Sequence, residues 1–319
     1  MTTLREALRY NGVFWRKFAY LGCVYGPEWW KTYSPGPIGA IIYALIGANR
    51  RAAIQNMQRV LGVRDARLVR RASIEMFSQF ACCFAESMEY YGPRPRPMQF
   101  DIPTHDPLDE ALRRGRGAVV VTGHFGNWDV AAKGLRAYGR PMNVVMAHEA
   151  NQTTHDFVRA AREQAGVRVI YSDSSVFSSL NMIRALRNNE IIAIQLDRAE
   201  GAGGTRLVPF FGAPAPFPSG PFVLARLAGA PVLPIFVPRL GRRHYAVQIG
   251  DPIEVPRDSR HSSSLDRAMH QAVRAFEDKV REFPTQWFRF TPFWPEDMGG
   301  EEEPVRLAAA AGEGVRGRR

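Results

Sequence analysis

From Phe100 onward, short apolar runs alternate with segments of helical period, and this alternation limits the fold more than any other feature. The strand candidates are residues 118–122 (AVVVT), 143–147, 167–171, 191–196, 231–237 and 245–250. Between and around them, 127–138, 152–165, 175–189, 219–229 and 263–282 read as helices. Strands without polar alternation are buried on both faces, which predicts an α/β domain built as a three-layer sandwich on a largely parallel sheet.

A different segment precedes this domain. Residues 10–46 are rich in Trp, Tyr and Ile and carry few charges; Arg50 and Arg51 follow. Aromatic rings beside Lys and Arg favour the headgroup level of a bilayer. Two short apolar helices joined by the Pro35/Pro37 turn would lie in the interface, although they can equally cover a protein core. No run of about 18 apolar residues occurs, so a spanning helix is not expected. Arg16 and Lys17 break the first apolar stretch, which does not read as a cleaved signal peptide. Residues 50–62 read as a helix ended by Gly62, and Asp65 as the cap of a longer one reaching Tyr91. Pro93, Pro95 and Pro97 then stop helix formation. The expected division is a helical, membrane-interfacial segment 1–95, an α/β domain 96–297 and a disordered Gly-, Glu-, Ala- and Arg-rich tail 298–319.

The formal net charge of +11 attracts polyanions, whether anionic lipid, an acidic carrier protein or nucleic acid. The positive charges are dispersed and no nucleic-acid recognition motif is present, so a nucleic-acid partner is not expected. Cysteines number 3, two of them the adjacent Cys82 and Cys83, which argues against a disulfide framework and for a cytosol-facing location.

The chemistry concentrates in AVVVTGHFGNWDVAAKGL. A strand ends at Thr122, Gly123 and Gly126 permit a tight turn, and a helix begins near Asn127. His124 thereby falls at the carboxyl end of a strand, where α/β sheets place ligands. Five residues on a regular helix separate side chains by about 140°, so His124 and Asp129 meet only if the histidine lies in the turn and the aspartate in the first helical turn. Asp129 would then hold the imidazole tautomer, and a neutral His124 would deprotonate a hydroxyl. The bland alternative is a helix-capping His124 with a solvated Asp129. Asn127, or the turn amides, can donate to a developing oxyanion; Asn127 is also a good helix cap.

GHFGNWD resembles the catalytic motif of the bacterial lipid A biosynthesis acyltransferase family, a group similar to phosphatidylinositol mannoside acyltransferases. The resemblance extends over roughly residues 10–296 and includes NRRAAIQNMQRVLG, LVPFFGAPAPFPSGPFVLARLAGAPVLPIFVPR and PTQWFRFTPFW. It implies acyl transfer from a thioester to a lipid hydroxyl or amine. His124 would be the base, Asp129 its orienting partner, and no covalent acyl-enzyme would form. The donor would be acyl-carrier protein or acyl-CoA and the acceptor lipid A-type, at the cytoplasmic face of the inner membrane, with no cofactor. Other acceptors are an aminolipid, a mannoside lipid or a pigment-type lipid. The chain departs from the family at Asp197-Arg198-Ala199-Glu200, which keeps two acids at altered spacing around an arginine. The departure bears on the acceptor rather than the reaction.

Further candidates surround the motif. Asp197 or Glu200 would contact the acceptor headgroup, or form a strand-end salt bridge with Arg198 or Arg206. Arg206, in a Gly-rich loop, either binds a phosphate of the acceptor or donor or is a solvated loop arginine. Phe211 and Gly212 belong to a Pro/Gly-rich stretch that reads either as a rigid wall of an acyl tunnel, with Ser219 and Gly220 opening a helix toward phosphate, or as ordinary strand-to-helix packing. His148 and His155 match no strong metal-ligand spacing, and no metal is expected. Two rival classes remain: a non-catalytic basic membrane-binding protein, and a metallohydrolase using His124 and Asp129.

Overall fold

A computed structural model describes residues 13–93, 95–103, 106–146, 166–171, 176–198, 204–256 and 262–297. Five helices come first: α1 (Val13–Tyr25), α2 (Glu28–Tyr33), α3 (Pro35–Leu45), α4 (Gly47–Leu61) and α5 (Ala66–Tyr91). Gly62, in the left-handed conformation, ends α4, and the Asp65 carboxylate accepts from the backbone N–H groups of Arg67 and Leu68 at the start of α5. Both boundaries follow from ordinary capping chemistry. Among the described residues, no helix is long and apolar enough to cross a membrane.

The remainder is an α/β arrangement with mixed sheets. β1 (Gln99–Asp101) and α6 (Pro107–Arg113) lead to β2 (Ala118–Thr122), and α7 (Trp128–Gly134) to β3 (Met142–Met146). β4 (Val167–Tyr171), α8 (Val176–Arg187), β5 (Ile191–Gln195), β6 (Thr205–Phe210), β7 (Ala213–Pro218) and α9 (Gly220–Ala228) follow. The chain then forms β8 (Val232–Phe236), β9 (Arg239–Gly241), β10 (His244–Ala246), β11 (Gln248–Ile249) and α10 (Ser262–Glu282). The six-stranded sheet has the order β11-β8-β2-β5-β3-β4. Strands β8 through β4 in that order are parallel, and β11 is antiparallel to β8. The expected helix over 152–165 lies outside the described residues.

The run AVVVT is apolar throughout because both of its faces are covered. Val119 and Val121 enter a core with residues of α8, α9 and α10, whereas Ala118 and Val120 enter a second core with α6. A third core joins α3, α4 and α5 to Phe288.

Two sequence expectations need correction. The strand expected over 245–250 is split: β10 joins β1 and β9 in a small separate sheet, while β11 edges the main one. The Pro-rich stretch, absent from the expected strands, forms a hairpin, β6–β7, in which Phe210 pairs with Ala213. Phe211 and Gly212 both have positive φ, as a two-residue turn of matching twist requires. Pro214, Pro216 and Pro218 alternate along β7, so each falls where a backbone N–H would face away from β6.

Candidate active site

The turn between β2 and α7 is locked from two directions. Gly126 has φ +56°, and a Cβ there would collide with the backbone at Val237 and Pro238, so only glycine fits. The Asn127 N–H donates to Val237 O at 3.0 Å, and the Gly126 N–H to Gln286 O at 2.9 Å. Phe125 bridges antiparallel to Trp287, and the Phe288 N–H donates to His124 O at 2.7 Å. The C-terminal aromatic segment thus backs the turn as an extra short strand. That segment is itself held by α4: Asn49 donates to Phe290 O at 3.1 Å, and Asn56 donates to Arg289 O at 3.1 Å and Thr291 O at 2.9 Å. Asn49 and Asn56 are two helical turns apart and share a face. The motif NRRAAIQNMQRVLG therefore acts on the turn through PTQWFRFTPFW.

His124 is held by Asp197. Its ring Nδ1 lies 2.8 Å from Asp197 Oδ1, and its backbone N–H donates to Asp197 Oδ2 at 2.9 Å. The Trp287 indole N–H donates to the same Oδ2 at 3.0 Å, and the Arg289 guanidinium donates to the Asp197 carbonyl at 3.0 Å. The Asp197 side chain is 0% exposed and that of His124 is 15% exposed. Burial alone would raise the Asp197 carboxyl, but the His124 ring charge, its two N–H groups and Arg289 hold it well below the usual carboxylate range. A carboxylate at Oδ1 fixes the proton on Nδ1 and leaves the Nε2 lone pair without a hydrogen-bond partner among the described residues. The edge of the imidazole meets the Trp128 ring at 5.2 Å between centroids.

The site is thus an imidazole hydrogen-bonded through Nδ1 to a buried carboxylate, an arrangement able to accept a proton at its other ring nitrogen. The profile of the bacterial lipid A biosynthesis acyltransferase matches residues 2–295. The chain belongs to the bacterial lipid A biosynthesis acyltransferase family. It is also similar to phosphatidylinositol mannoside acyltransferases. Those of Mycobacterium tuberculosis strains CDC 1551 / Oshkosh and ATCC 25618 / H37Rv are each 27% identical over 250 residues, covering 76% of this chain and 77% of theirs. The Mycolicibacterium smegmatis protein is 27% identical over 205 residues, covering 64% of this chain and 65% of its own.

The geometry of the acyltransferase departs from the His-x4-Asp expectation. Asp129 lies in the first turn of α7, and its backbone carbonyl accepts from Tyr91 Oη at 2.5 Å. Its carboxylate is not the partner of Nδ1, because Asp197 occupies that position. The reason is topological. β2 and β5 are neighbours, with Thr122 in register with Gln195, so the two residues that follow each strand emerge side by side at the same sheet edge. Asp197 is accordingly buried against the base, not exposed to a headgroup. Glu200, His148 and His155 lie outside the described residues, among which no group of three metal-ligating side chains occurs.

Asn127 does not face the reaction either. Its carboxamide N–H groups donate to Cys83 O at 3.1 Å and Tyr245 Oη at 3.0 Å. Its oxygen accepts from Ser87 Oγ and from the Val130 N–H, which makes it the cap of α7. The amides of His124, Gly126 and Asn127 are likewise engaged in holding the turn. The Tyr245 hydroxyl in turn donates to the Glu86 carboxylate, which is ion-paired with Arg239. This buried network was not foreseen, because its members lie far apart in sequence.

The remaining expected residues also hold structural positions. Arg206 is on strand β6, not in a loop, and pairs with Asp266 of α10. The Phe211 N–H donates to Glu277 at the hairpin turn, beside Gly212. Ser219 is the residue before α9 and donates to Gly204 O at 3.1 Å; Gly220 begins that helix.

Proposed function

We propose that this acyltransferase moves a fatty acyl chain from an acyl thioester directly to a hydroxyl of a glycolipid, with His124 as general base and Asp197 as its orienting partner. The carrying observation is the 2.8 Å contact between His124 Nδ1 and Asp197, which leaves Nε2 open. Nε2 takes the proton of the acceptor hydroxyl as its oxygen attacks the thioester carbonyl. The tetrahedral species then collapses, the thiolate departs, and it takes the proton back from His124. The buried carboxylate stabilises the imidazolium formed between these steps.

The acceptor is a glycolipid of the lipid A or mannoside-lipid kind, in keeping with the family and with the relatives' names. The net charge of +11 suits an acidic acyl-carrier protein or acyl-CoA as donor. Residues 1–95 form the part that lies on the membrane and 96–297 the catalytic domain. Supporting this reading, Leu21, Tyr25, Trp29, Tyr33, Ile41 and Leu45 are exposed on α1–α3, next to Arg50 and Arg51. The location that goes with this reading is peripheral, on the cytoplasmic face of the inner membrane.

The test is His124→Ala, assayed for acyl transfer by lipid mass spectrometry and for binding to anionic vesicles. Loss of the acylated glycolipid with vesicle binding intact is expected. A variant that still acylates would refute the role of His124; vesicle binding with no acylation by either protein would favour a non-catalytic membrane binder.

A further inference from the structure

Asp197 is tied down by a group that belongs to neither strand nor turn. Its Oδ1 faces the imidazole, while its Oδ2 accepts from two donors, the His124 backbone N–H and the Trp287 indole N–H. Fixing both oxygens sets the plane of the carboxylate, and that plane decides where the imidazole points. Trp287 is 2% exposed and packs edge-on against Phe210, Phe276, Phe293 and Trp294. Its one polar group, the indole N–H, is used in the bond to Asp197.

We propose that Trp287 is a positioning residue of the acyl-transfer site, whose indole N–H holds the second oxygen of Asp197 and so tunes the basicity of His124. This inference rests on the reading of Asp197 as the partner of His124. The charged and titratable groups facing Asp197 are few. The turn presents His124 and the C-terminal segment presents Arg289, whereas α10 presents the apolar Phe276 behind Gly123. Arg198, beside Asp197 on its own segment, is exposed. If the indole is lost, only the His124 backbone N–H remains on Oδ2 among the described groups. Its negative charge is then less dispersed, and the field on the imidazolium strengthens. The protonated ring is favoured, so the inactive form persists to higher pH.

The second indole of the cluster supplies a matched control. Trp294 is equally buried, but its N–H donates to Phe210 O at 3.1 Å, away from Asp197. Trp287→Phe and Trp294→Phe each remove one buried indole N–H and similar packing. The experiment measures kcat and KM for full-length protein across pH, with Asp197→Asn alongside. Trp287→Phe is expected to lower kcat about ten-fold with KM unchanged, from loss of one hydrogen bond to a charged group, and to move the acid limb of kcat/KM up by about half a pH unit. Trp294→Phe is expected to leave that limb in place. Equal behaviour of the two variants, or an unmoved limb in Trp287→Phe, overturns the proposal. Undiminished activity of Asp197→Asn instead refutes the reading on which it rests. Should Trp287→Phe not fold, the unaltered protein still answers. The indole 15N–1H resonance of Trp287, assigned by replacing the other tryptophans, is expected to titrate with the acid limb, and a resonance that ignores that limb overturns the proposal.

Discussion

Replacing Asp197 by asparagine isolates the electrostatic part of the site, because the side-chain volume barely changes. The new amide has two orientations, and the structure selects one. Oδ2 accepts from the His124 N–H and the Trp287 N–H, so an NH2 group at that position would oppose two donors. Each buried bond lost in this way costs about 1–3 kcal/mol. The amide oxygen therefore stays at the Oδ2 position and the NH2 turns toward Nδ1, where the carboxylate had been 2.8 Å away. Nδ1 must then accept, which moves the ring proton to Nε2 and blocks the base. The imidazolium also loses its counter-charge. Together these predict a fall in kcat of about 10³- to 10⁴-fold, equivalent to roughly 4–5 kcal/mol of transition-state stabilisation. The assay is transfer from a labelled acyl thioester to extracted glycolipid, with circular dichroism confirming the fold. Asp129→Asn is the comparison. An acid in the first helical turn contributes only about 0.3–1 kcal/mol, so a loss of about five-fold or less is expected. If Asp129→Asn abolishes transfer while Asp197→Asn stays within about five-fold of the original, the assignment of the pair is wrong.

Four other outcomes follow from the same coordinates. Gly126→Ala must hold φ +56° and push into the Val237 carbonyl, so a loss of about 3 kcal/mol in urea unfolding is expected, together with activity. Tyr245→Phe leaves both Asn127 and Glu86 one partner short and is expected to cost about 1–3 kcal/mol, read as a drop of several degrees in Tm. Because the folded Asp197 carboxyl is held below its ordinary value, its contribution to stability is full above about pH 3.9 and is lost as pH falls through the lower folded value. The stability gap between the original protein and Asp197→Asn should therefore narrow below about pH 3.9 in urea titrations. Replacing the exposed Trp29 and Tyr33 by serine should weaken binding to anionic vesicles about ten-fold while leaving Tm unchanged.

The main sheet was legible because strand burial and helix capping are local properties. AVVVT and IIAIQ carry their double burial in their composition, and Asp65 announces α5 by its side chain alone. His124 was legible for a similar reason, since two glycines and a strand end fix its place in the turn. Its partner was not. His124 and Asp197 meet only because β2 and β5 are neighbours, and strand order is a long-range property. The near acid at Asp129 was the more visible candidate. The remaining signal lay in IIAIQLD, where a carboxylate directly follows an apolar strand, just as His124 follows AVVVTG. The β6–β7 hairpin also had a signal. Proline at every second position suits one free edge of a ribbon, and Phe-Gly between two such runs suits its turn.

The backing of the turn by residues 286–288 has a consequence for how the enzyme comes into being. A ribosome that has just made the histidine still has to add the segment that shapes it. At roughly 5–20 residues per second, that interval is about 8 to 30 seconds. For its later part, once Asp197 has been added, the nascent polypeptide owns both the imidazole and the carboxylate, yet has nothing to clamp them. Competence to acylate arrives late and all together, after the aromatic stretch emerges and docks.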